Sequence, residues 1–214
     1  MEWIGHLLSI VLHLDRYLPI FIQAYGNWIY GVLFVILFCE TGLVVAPFLP
    51  GDSLLFVAGA VAASGGMNPI ALFVVLALAA IVGDSANYWL GGLLGPRIFR
   101  GRDGRFIRRE HLERTRRFYA RHGGKTVVIA RFIPIIRTFA PFVAGIGHMT
   151  YGRFLAYNVL GGIAWVGAFV GGGYFFGGLP IVKENLTAVI LGIIVVSLLP
   201  GMVGYLRHRS QANV

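Results

Sequence analysis

Charged residues are scarce in this sequence of 214 residues. Only 13% of the residues are charged and 57% are hydrophobic, whereas a typical soluble domain has about 25% charged residues. The mean hydropathy is +0.76. This composition excludes an ordinary soluble domain and indicates an integral membrane protein, and the chain length suits one compact helical bundle.

Cysteine and catalytic motifs are also scarce. Cys39 is the single cysteine, so the chain has no intrachain disulfide. The "GGKT" at 123–126 lacks the first glycine of a phosphate-binding loop, because position 119 is tyrosine. The "GGGYFFGG" at 171–178 is not a dinucleotide fingerprint, and its Gly173 and Gly177 have the spacing of close helix packing. The sequence therefore predicts no enzyme, no cofactor and no metal site.

Positive charge is concentrated in one segment. Residues 97–125 contain eleven basic and three acidic residues, and eleven minus three gives +8 of the net charge of +9. The positive-inside rule places such a short loop in the cytoplasm. Its arginines suit anionic lipid head groups, whereas no nucleic-acid-binding motif is present.

Apolar segments predict the order of the membrane elements. Residues 1–25 form an amphipathic pattern that favours an interfacial helix. Three stretches are long enough to span a bilayer, the second with a loop: 69–96, 154–182 and 186–206. Residues 207–214 follow as a short tail with Arg207 and Arg209, and the positive-inside rule places it in the cytoplasm.

Two further apolar segments are interrupted by proline. In the first, an apolar run from Trp28 reaches Glu40 after about 18 Å of helix, near the middle of a core about 30 Å thick. Three turn-forming residues follow, namely Pro47, Pro50 and Gly51. This pattern predicts a re-entrant hairpin at about 28–66, because irregular backbone at that depth must be surrounded by protein or water.

The second interrupted segment, 126–150, has Pro134 and Pro141 as its predicted turn residues. A full crossing here would leave the basic C-terminus outside, so a re-entrant hairpin is again the better interpretation. The predicted fold is therefore an all-α polytopic membrane protein with two inverted repeats. Each repeat is a re-entrant hairpin followed by a spanning helix, and the hairpins of such repeats meet near the midplane.

Five ionisable residues fall within these apolar segments: Glu40, Asp52, Asp84, Arg131 and Arg137. Each costs roughly 2.5–3.5 kcal/mol at a helix centre, or on the order of 12–17 kcal/mol for five at full depth. An entire domain is stable by only about 5–15 kcal/mol. We therefore expect the two acids of the first hairpin to meet the two arginines of the second at a central cavity. Asp84 either lines this cavity or bonds a neighbouring helix.

The same segments resemble the signature segments of the DedA family. They are "ETGLVVAPFLPGD" at 40–52, "GDSANY" at 83–88 and "RFIPIIRTFAPFVAG" at 131–145. The resemblance covers about residues 25–206, which makes 26–206 a single VTT/DedA-like transmembrane domain. It implies a bacterial inner-membrane protein that transports lipids, with links to undecaprenyl phosphate recycling and the proton motive force. The functional acids of the family fall on Glu40 and Asp52, and its functional arginines on Arg131 and Arg137.

Three functions are compatible with these residues. The first is transport of a phosphate-headed lipid, either undecaprenyl phosphate or a phospholipid, with Arg131 and Arg137 binding the phosphate and Glu40, Asp52 or Asp84 carrying a proton. The alternative is a proton-coupled antiporter of small ions. In a third reading the ion pairs are only structural, and Glu40→Gln combined with Arg131→Gln should then restore what either change destroys. Glycine-rich faces permit homo-oligomers without requiring them.

Overall fold

A computed structural model of the protein describes residues 26–43, 51–100, 127–128, 131 and 134–180, with a few positions between 182 and 193. Within these residues the structure is helical and contains no strand, which confirms the all-α prediction. The five helices are α1 (Trp28–Gly42), α2 (Gly51–Ala63), α3 (Pro69–Arg100), α4 (Pro134–Ile146) and α5 (Tyr151–Phe176). The predicted interfacial helix, tail and turn prolines Pro47 and Pro50 lie outside the described residues, as do nearly all of the basic loop and most of the last span.

Two of the helices are long and apolar enough to cross a membrane. They are the Pro69–Leu94 part of α3 and the whole of α5, each 26 residues long, with mean hydropathies of 2.1 and 1.6. Helices α1 and α2 are apolar but shorter, with 15 and 13 residues. At 1.5 Å per residue they extend about 22 Å and 20 Å, which is less than the thickness of a hydrocarbon core of about 30 Å.

The predicted spans at 69–96 and 154–182 correspond to the long apolar helices α3 and α5, although the helix ends differ from those of the apolar stretches, and one predicted turn was wrong. Helix α3 continues past Pro96 to Arg100, and α5 begins before Phe154 and ends well before residue 182. Arg153 is an exposed residue in the first turn of α5, where a long side chain can extend to the membrane surface. Pro141 lies inside α4 and is not a turn residue. Since proline has no N–H, the carbonyl of Arg137 loses its intrahelical donor.

Helix α3 is contacted by a different short helix along each of its halves. At its start, the backbone N–H of Asn68 donates to the Tyr30 hydroxyl of α1 over 2.8 Å. Near its middle, Gly83 packs against the end of α1. Beyond this point α4 is the helix that contacts α3, and Gly91 of α3 packs against the backbone of Phe142. Helices α1 and α4 thus follow one another along α3, both running in its direction.

Helix α5 runs antiparallel to α3 and is covered in the same way. Gly161, in its first half, packs against Val128. Helix α2 covers the second half, where Gly173 packs against the Phe56 carbonyl and Gly177 against Ala60. These contacts confirm that Gly173 and Gly177 serve close helix packing. Along α3, α1 ends and α4 begins near the middle of the long helix. Along α5, the segment with Val128 contacts the first half and α2 contacts the second half.

Two helix pairs make the same reciprocal contact through glycine. In α2 and α5, a Cβ on Gly59 would overlap the Val170 carbonyl, and one on Gly173 would overlap the Phe56 carbonyl. In α4 and α3, Gly145 and Gly91 have the same relation to the carbonyls of Tyr88 and Phe142, respectively. In each case the glycine follows the contacted carbonyl on its own helix by three residues. Only glycine allows the two backbones to approach so closely.

Candidate functional site

Arg137 lies between two carboxylates where the short helices meet. Its Nη1 donates to Oδ1 of Asp52 over 2.7 Å, and its Nη2 donates to Oε1 of Glu40. The three side chains come from α4, α2 and α1. The backbone N–H of Gly51 also donates to Glu40 Oε1, over 3.2 Å. Glu40 is 1% exposed and Arg137 6%, so this double ion pair is almost fully removed from solvent.

Arg131 forms its ion pair with Asp84. Its Nη2 donates to Asp84 Oδ2 and, over 2.9 Å, to the side-chain oxygen of Asn158. Its Nη1 donates to the Asn158 carbonyl over 3.1 Å. The Asn158 amide in turn donates to the Ile81 carbonyl over 2.9 Å. Asp84, whose role the sequence left open, is therefore the acidic partner of one of the two predicted arginines.

Trp165 of α5 lies between the two arginines and is 0% exposed. Its Nε1 donates to Asp52 Oδ1 over 3.0 Å, so this oxygen accepts from both Trp165 and Arg137. The centroid of the Trp165 ring lies 4.6 Å from Cζ of Arg137 and 5.9 Å from Cζ of Arg131. Both distances are within the range of cation–π attraction. One indole thus contacts both arginines and one of the acids.

Asn87 of α3 donates hydrogen bonds to the backbone of two short helices, next to the charged residues of the site. Its Nδ2 donates to the carbonyl of Thr41 over 3.1 Å and to that of Thr138 over 2.8 Å. Each threonine is adjacent in sequence to a charged residue of the site, Glu40 or Arg137. Asn87 therefore helps to hold α1 and α4 at a fixed height on α3.

The described cluster is not electrically balanced. Its three carboxylates are Glu40, Asp52 and Asp84, and its two guanidinium groups are those of Arg131 and Arg137, so the formal sum is −1. Four buried polar atoms of the described residues have no hydrogen-bond partner: Glu40 Oε2, Asp84 Oδ1, Asn87 Oδ1 and Arg137 Nε. Buried polar networks are stable only when their members are satisfied, so an arrangement of this kind is suited to a ligand or a proton. In the described part of the chain, no group of three His, Cys, Asp or Glu residues could hold a metal ion.

Comparison with known proteins matches residues 49–175, more than half of the chain, to the VTT domain family. The chain is 52% identical to the protein DedA of Escherichia coli K12, over 99% of this chain and 98% of the relative. The chain belongs to the DedA family. No solved structure matches it.

Two further relatives support the membrane location of this DedA-family protein. It is 40% identical to the uncharacterized membrane protein ML0287 of Mycobacterium leprae, over 84% of this chain and 81% of the relative. It is 34% identical to the inner membrane protein YqjA of E. coli K12, over 83% of this chain and 82% of the relative. Together with the two apolar helices, these names indicate a bacterial membrane protein.

An apolar cleft of about 250 Å³ lies between α3 and α5 of the DedA-family chain. It is lined almost entirely by apolar atoms, from the start of α3 and the second half of α5. Its lining residues are Pro69, Ile70, Phe73, Gly167, Val170, Gly171 and Tyr174. Gly167 follows Trp165 by two residues, which is about 200° around the helix, so the cleft lies at the height of the charged site but on another face of α5.

Sequence reasoning missed two residues and one repeat. Trp165 lies in a long apolar run, where nothing distinguishes it from a core aromatic residue. Asn158 lies in the same run, and a polar side chain inside a predicted span is itself a signal of function or helix contact. The tetrapeptide "FVAG" occurs at both 56–59 and 142–145. These two copies contain the reciprocal glycine contacts of α2 and α4, so the repeat could have been found from the sequence.

Proposed function

We propose that this protein transports a phosphate-headed lipid across the membrane, with undecaprenyl phosphate or a phospholipid as the substrate. The observation that carries the proposal is the buried double ion pair in which Arg137 faces both Glu40 and Asp52. A guanidinium group presents a planar fork of donors that matches phosphate as well as carboxylate. Arg137 therefore offers a phosphate group a site in the protein interior.

Binding of phosphate at Arg137 requires an exchange of partners. Both of its terminal nitrogens already donate to carboxylates, so a phosphate oxygen has to replace one of them. A carboxylate that takes up a proton as it leaves Arg137 couples this exchange to proton movement. No covalent step is needed, and the protein acts as a transporter and not as an enzyme.

The apolar cleft favours a lipid over a small ion as the substrate. It lies at the height of Trp165 on another face of α5, and its lining suits a hydrocarbon chain. Transport of a small ion does not require an apolar surface of this kind, because it requires a narrow polar path. Antiport of small ions is therefore the alternative to be tested and not the main proposal.

The proposal includes two re-entrant hairpins in inverted repeats. The shortness of α1 and α2 supports the first hairpin, as does the contact between Tyr30 and Asn68, which joins the start of α1 to the start of α3. The repeat of "FVAG" and the matching glycine contacts support the inverted relation of the two halves. In this arrangement the segment before α3 is periplasmic, and the loop at 97–125 and the C-terminus are cytoplasmic.

Cysteine labelling tests this topology. In a Cys39→Ser background, Ser64→Cys is expected to react with a membrane-impermeant maleimide added to intact spheroplasts. Gly152→Cys, at the start of α5, is expected to react only after the membrane is permeabilised. Both positions are exposed, and the open space around Gly152 accommodates a side chain. Reaction of both cysteines from the same side would contradict the inverted repeats.

Reconstitution into liposomes tests the transport itself. The wild-type protein is expected to move labelled undecaprenyl phosphate or labelled phospholipid between leaflets, faster with a pH gradient than without. Arg153→Ala is the matched control, because it removes an exposed arginine that takes part in none of the described ion pairs and should leave the rate unchanged. If wild type moves neither lipid but dissipates a pH gradient when Na⁺ or K⁺ is added, the antiporter alternative replaces the proposal.

A further inference from the structure

Glu40 and Asp52 both bind Arg137, but one lies at the C-terminus of a helix and the other at the N-terminus of a helix. Asp52 is in the first turn of α2, and Glu40 is in the last turn of α1. Aligned peptide dipoles give a helix a partial positive charge at its N-terminus and a partial negative charge at its C-terminus. The helix ends therefore stabilise the negative charge of Asp52 and destabilise that of Glu40.

The hydrogen bonds point to the same difference. Asp52 Oδ1 accepts from Trp165 Nε1 as well as from Arg137, so a rigid, fully buried ring holds this carboxylate in place. Among the described residues, only Oε1 of Glu40 has donors, namely Arg137 and the N–H of Gly51, and its Oε2 is buried with no partner there. An ionised carboxylate with a bare buried oxygen is costly. Glu40 is also the more deeply buried side chain of the two, 2% exposed against 13% for Asp52.

The charges that face Glu40 leave an excess of one negative charge. Arg137 on α4 and Asp52 on α2 contact or adjoin it, and Asp84 on α3 acts on it electrostatically. Asp84 is itself paired with Arg131. With three acids and two arginines, the uptake of one proton makes the described cluster neutral, and a neutral cluster is favoured in a low-dielectric interior.

We propose that the two acids have different roles and that the hydrogen bond from Trp165 sets them. Asp52 remains the ionised, permanent partner of Arg137, and Glu40 is the exchangeable carboxylate. In the exchange, Glu40 takes a proton from water, and the hydrogen bond from Arg137 Nη2 passes from Glu40 to a phosphate oxygen. When the phosphate leaves, Glu40 releases the proton and returns to Arg137. The second half of this cycle rests on the proposed lipid transport, whereas the division between the acids does not.

Infrared difference spectroscopy of the full chain in nanodiscs tests this division without any transport. The C=O stretch of a protonated carboxyl is recorded as the pH is lowered, in protein whose glutamates or aspartates carry ¹³C in the side-chain carboxyl. The component that Glu40→Gln removes is expected to shift with labelled glutamate and not with labelled aspartate. Glu110→Gln, in the basic loop, is the control and should leave this component in place.

Trp165→Phe separates the positioning role of Trp165 from a purely structural one. Phenylalanine keeps a ring in the core but loses the N–H that donates to Asp52, so a second component that shifts with labelled aspartate is expected to appear. Trp89→Phe, at an exposed position, should leave the spectrum unchanged. If the wild-type component shifts with labelled aspartate instead, or if Trp165→Phe adds no aspartate component, the division of roles is overturned.

Adding farnesyl monophosphate, a soluble polyprenyl phosphate, tests the exchange itself. In wild type the glutamate component is expected to grow on addition of this probe at constant pH, because phosphate displaces Glu40 from Arg137. Inorganic phosphate distinguishes recognition of the phosphate group alone from recognition of a phosphate with a chain. A glutamate component that responds to neither probe would overturn the exchange at Arg137 while supporting the assignment of the proton to Glu40.

Discussion

Arg137→Ala is expected to reduce lipid movement in liposomes to the protein-free background. The change removes the only group that both Glu40 and Asp52 are seen to contact among the described ion pairs, together with the proposed phosphate ligand. Removing one partner of a buried ion pair costs about 3–5 kcal/mol, because the remaining charge is left uncompensated. Thermal unfolding in detergent should therefore detect a large loss of stability in addition to the loss of transport.

Arg137→Lys separates these two effects. Lysine keeps the positive charge but presents a single ammonium group, which does not form the fork that contacts two carboxylates or a phosphate. This variant is expected to retain most of the stability and lose most of the transport. Transport at the wild-type rate would show that the fork geometry of Arg137 is not needed, and the phosphate-binding role would be wrong.

A double-mutant cycle decides between transport and a purely structural ion pair. The structure changes the design of this test, because the partner of Glu40 is Arg137 and Arg131 is paired with Asp84. If the pair only holds α1 and α4 together, Glu40→Gln with Arg137→Gln should recover the part of the transport and stability that this pair accounts for. We expect the double variant to recover only the part of the stability that belongs to the Glu40–Arg137 pair, because the charge of Asp52 still loses Arg137, and to remain inactive in lipid transport.

The sequence predicted the charged residues of the site better than their pairing. Five ionisable residues inside apolar segments are too costly to be unpaired, so a cluster of opposite charges followed from composition and solvation energy alone. The pairing depends on the height of each residue on α3 and α5, which is set by glycine contacts such as Gly83 with Thr41. Contacts of this kind join positions far apart in sequence, and a single sequence does not reveal them.

Prolines were harder to interpret than charges. Pro141 was taken as a turn residue and Pro96 as the end of an apolar stretch, and both lie within helical backbone. A missing N–H weakens a helix at one point, but packing against neighbouring helices can keep it continuous.

Gly51→Ala is expected to disconnect Glu40 from Arg137 without changing any charge. A Cβ on Gly51 would overlap the carboxylate of Glu40, including both of its oxygens. The obstructed atoms are the end of a flexible side chain, so the carboxylate moves while the backbone of α2 stays in place. The loss of one charge-assisted hydrogen bond is worth about 1.5–3 kcal/mol, which corresponds to about a tenfold to hundredfold change in a rate that depends on it.

The change in the affinity for farnesyl monophosphate shows whether Glu40 is an exchangeable or a fixed partner of Arg137. If Glu40 competes with phosphate for Arg137, Gly51→Ala should bind farnesyl monophosphate at least as tightly as wild type, since the competitor has been moved away. Lipid movement should nevertheless slow and lose its dependence on the pH gradient, because nothing returns to Arg137 to release the phosphate. Gly31→Ala, on α1, is the control, because a Cβ there meets no atom within 4 Å. Weaker binding of the probe by Gly51→Ala would instead make Glu40 a part of the phosphate site, and the exchange would have to take place at another carboxylate.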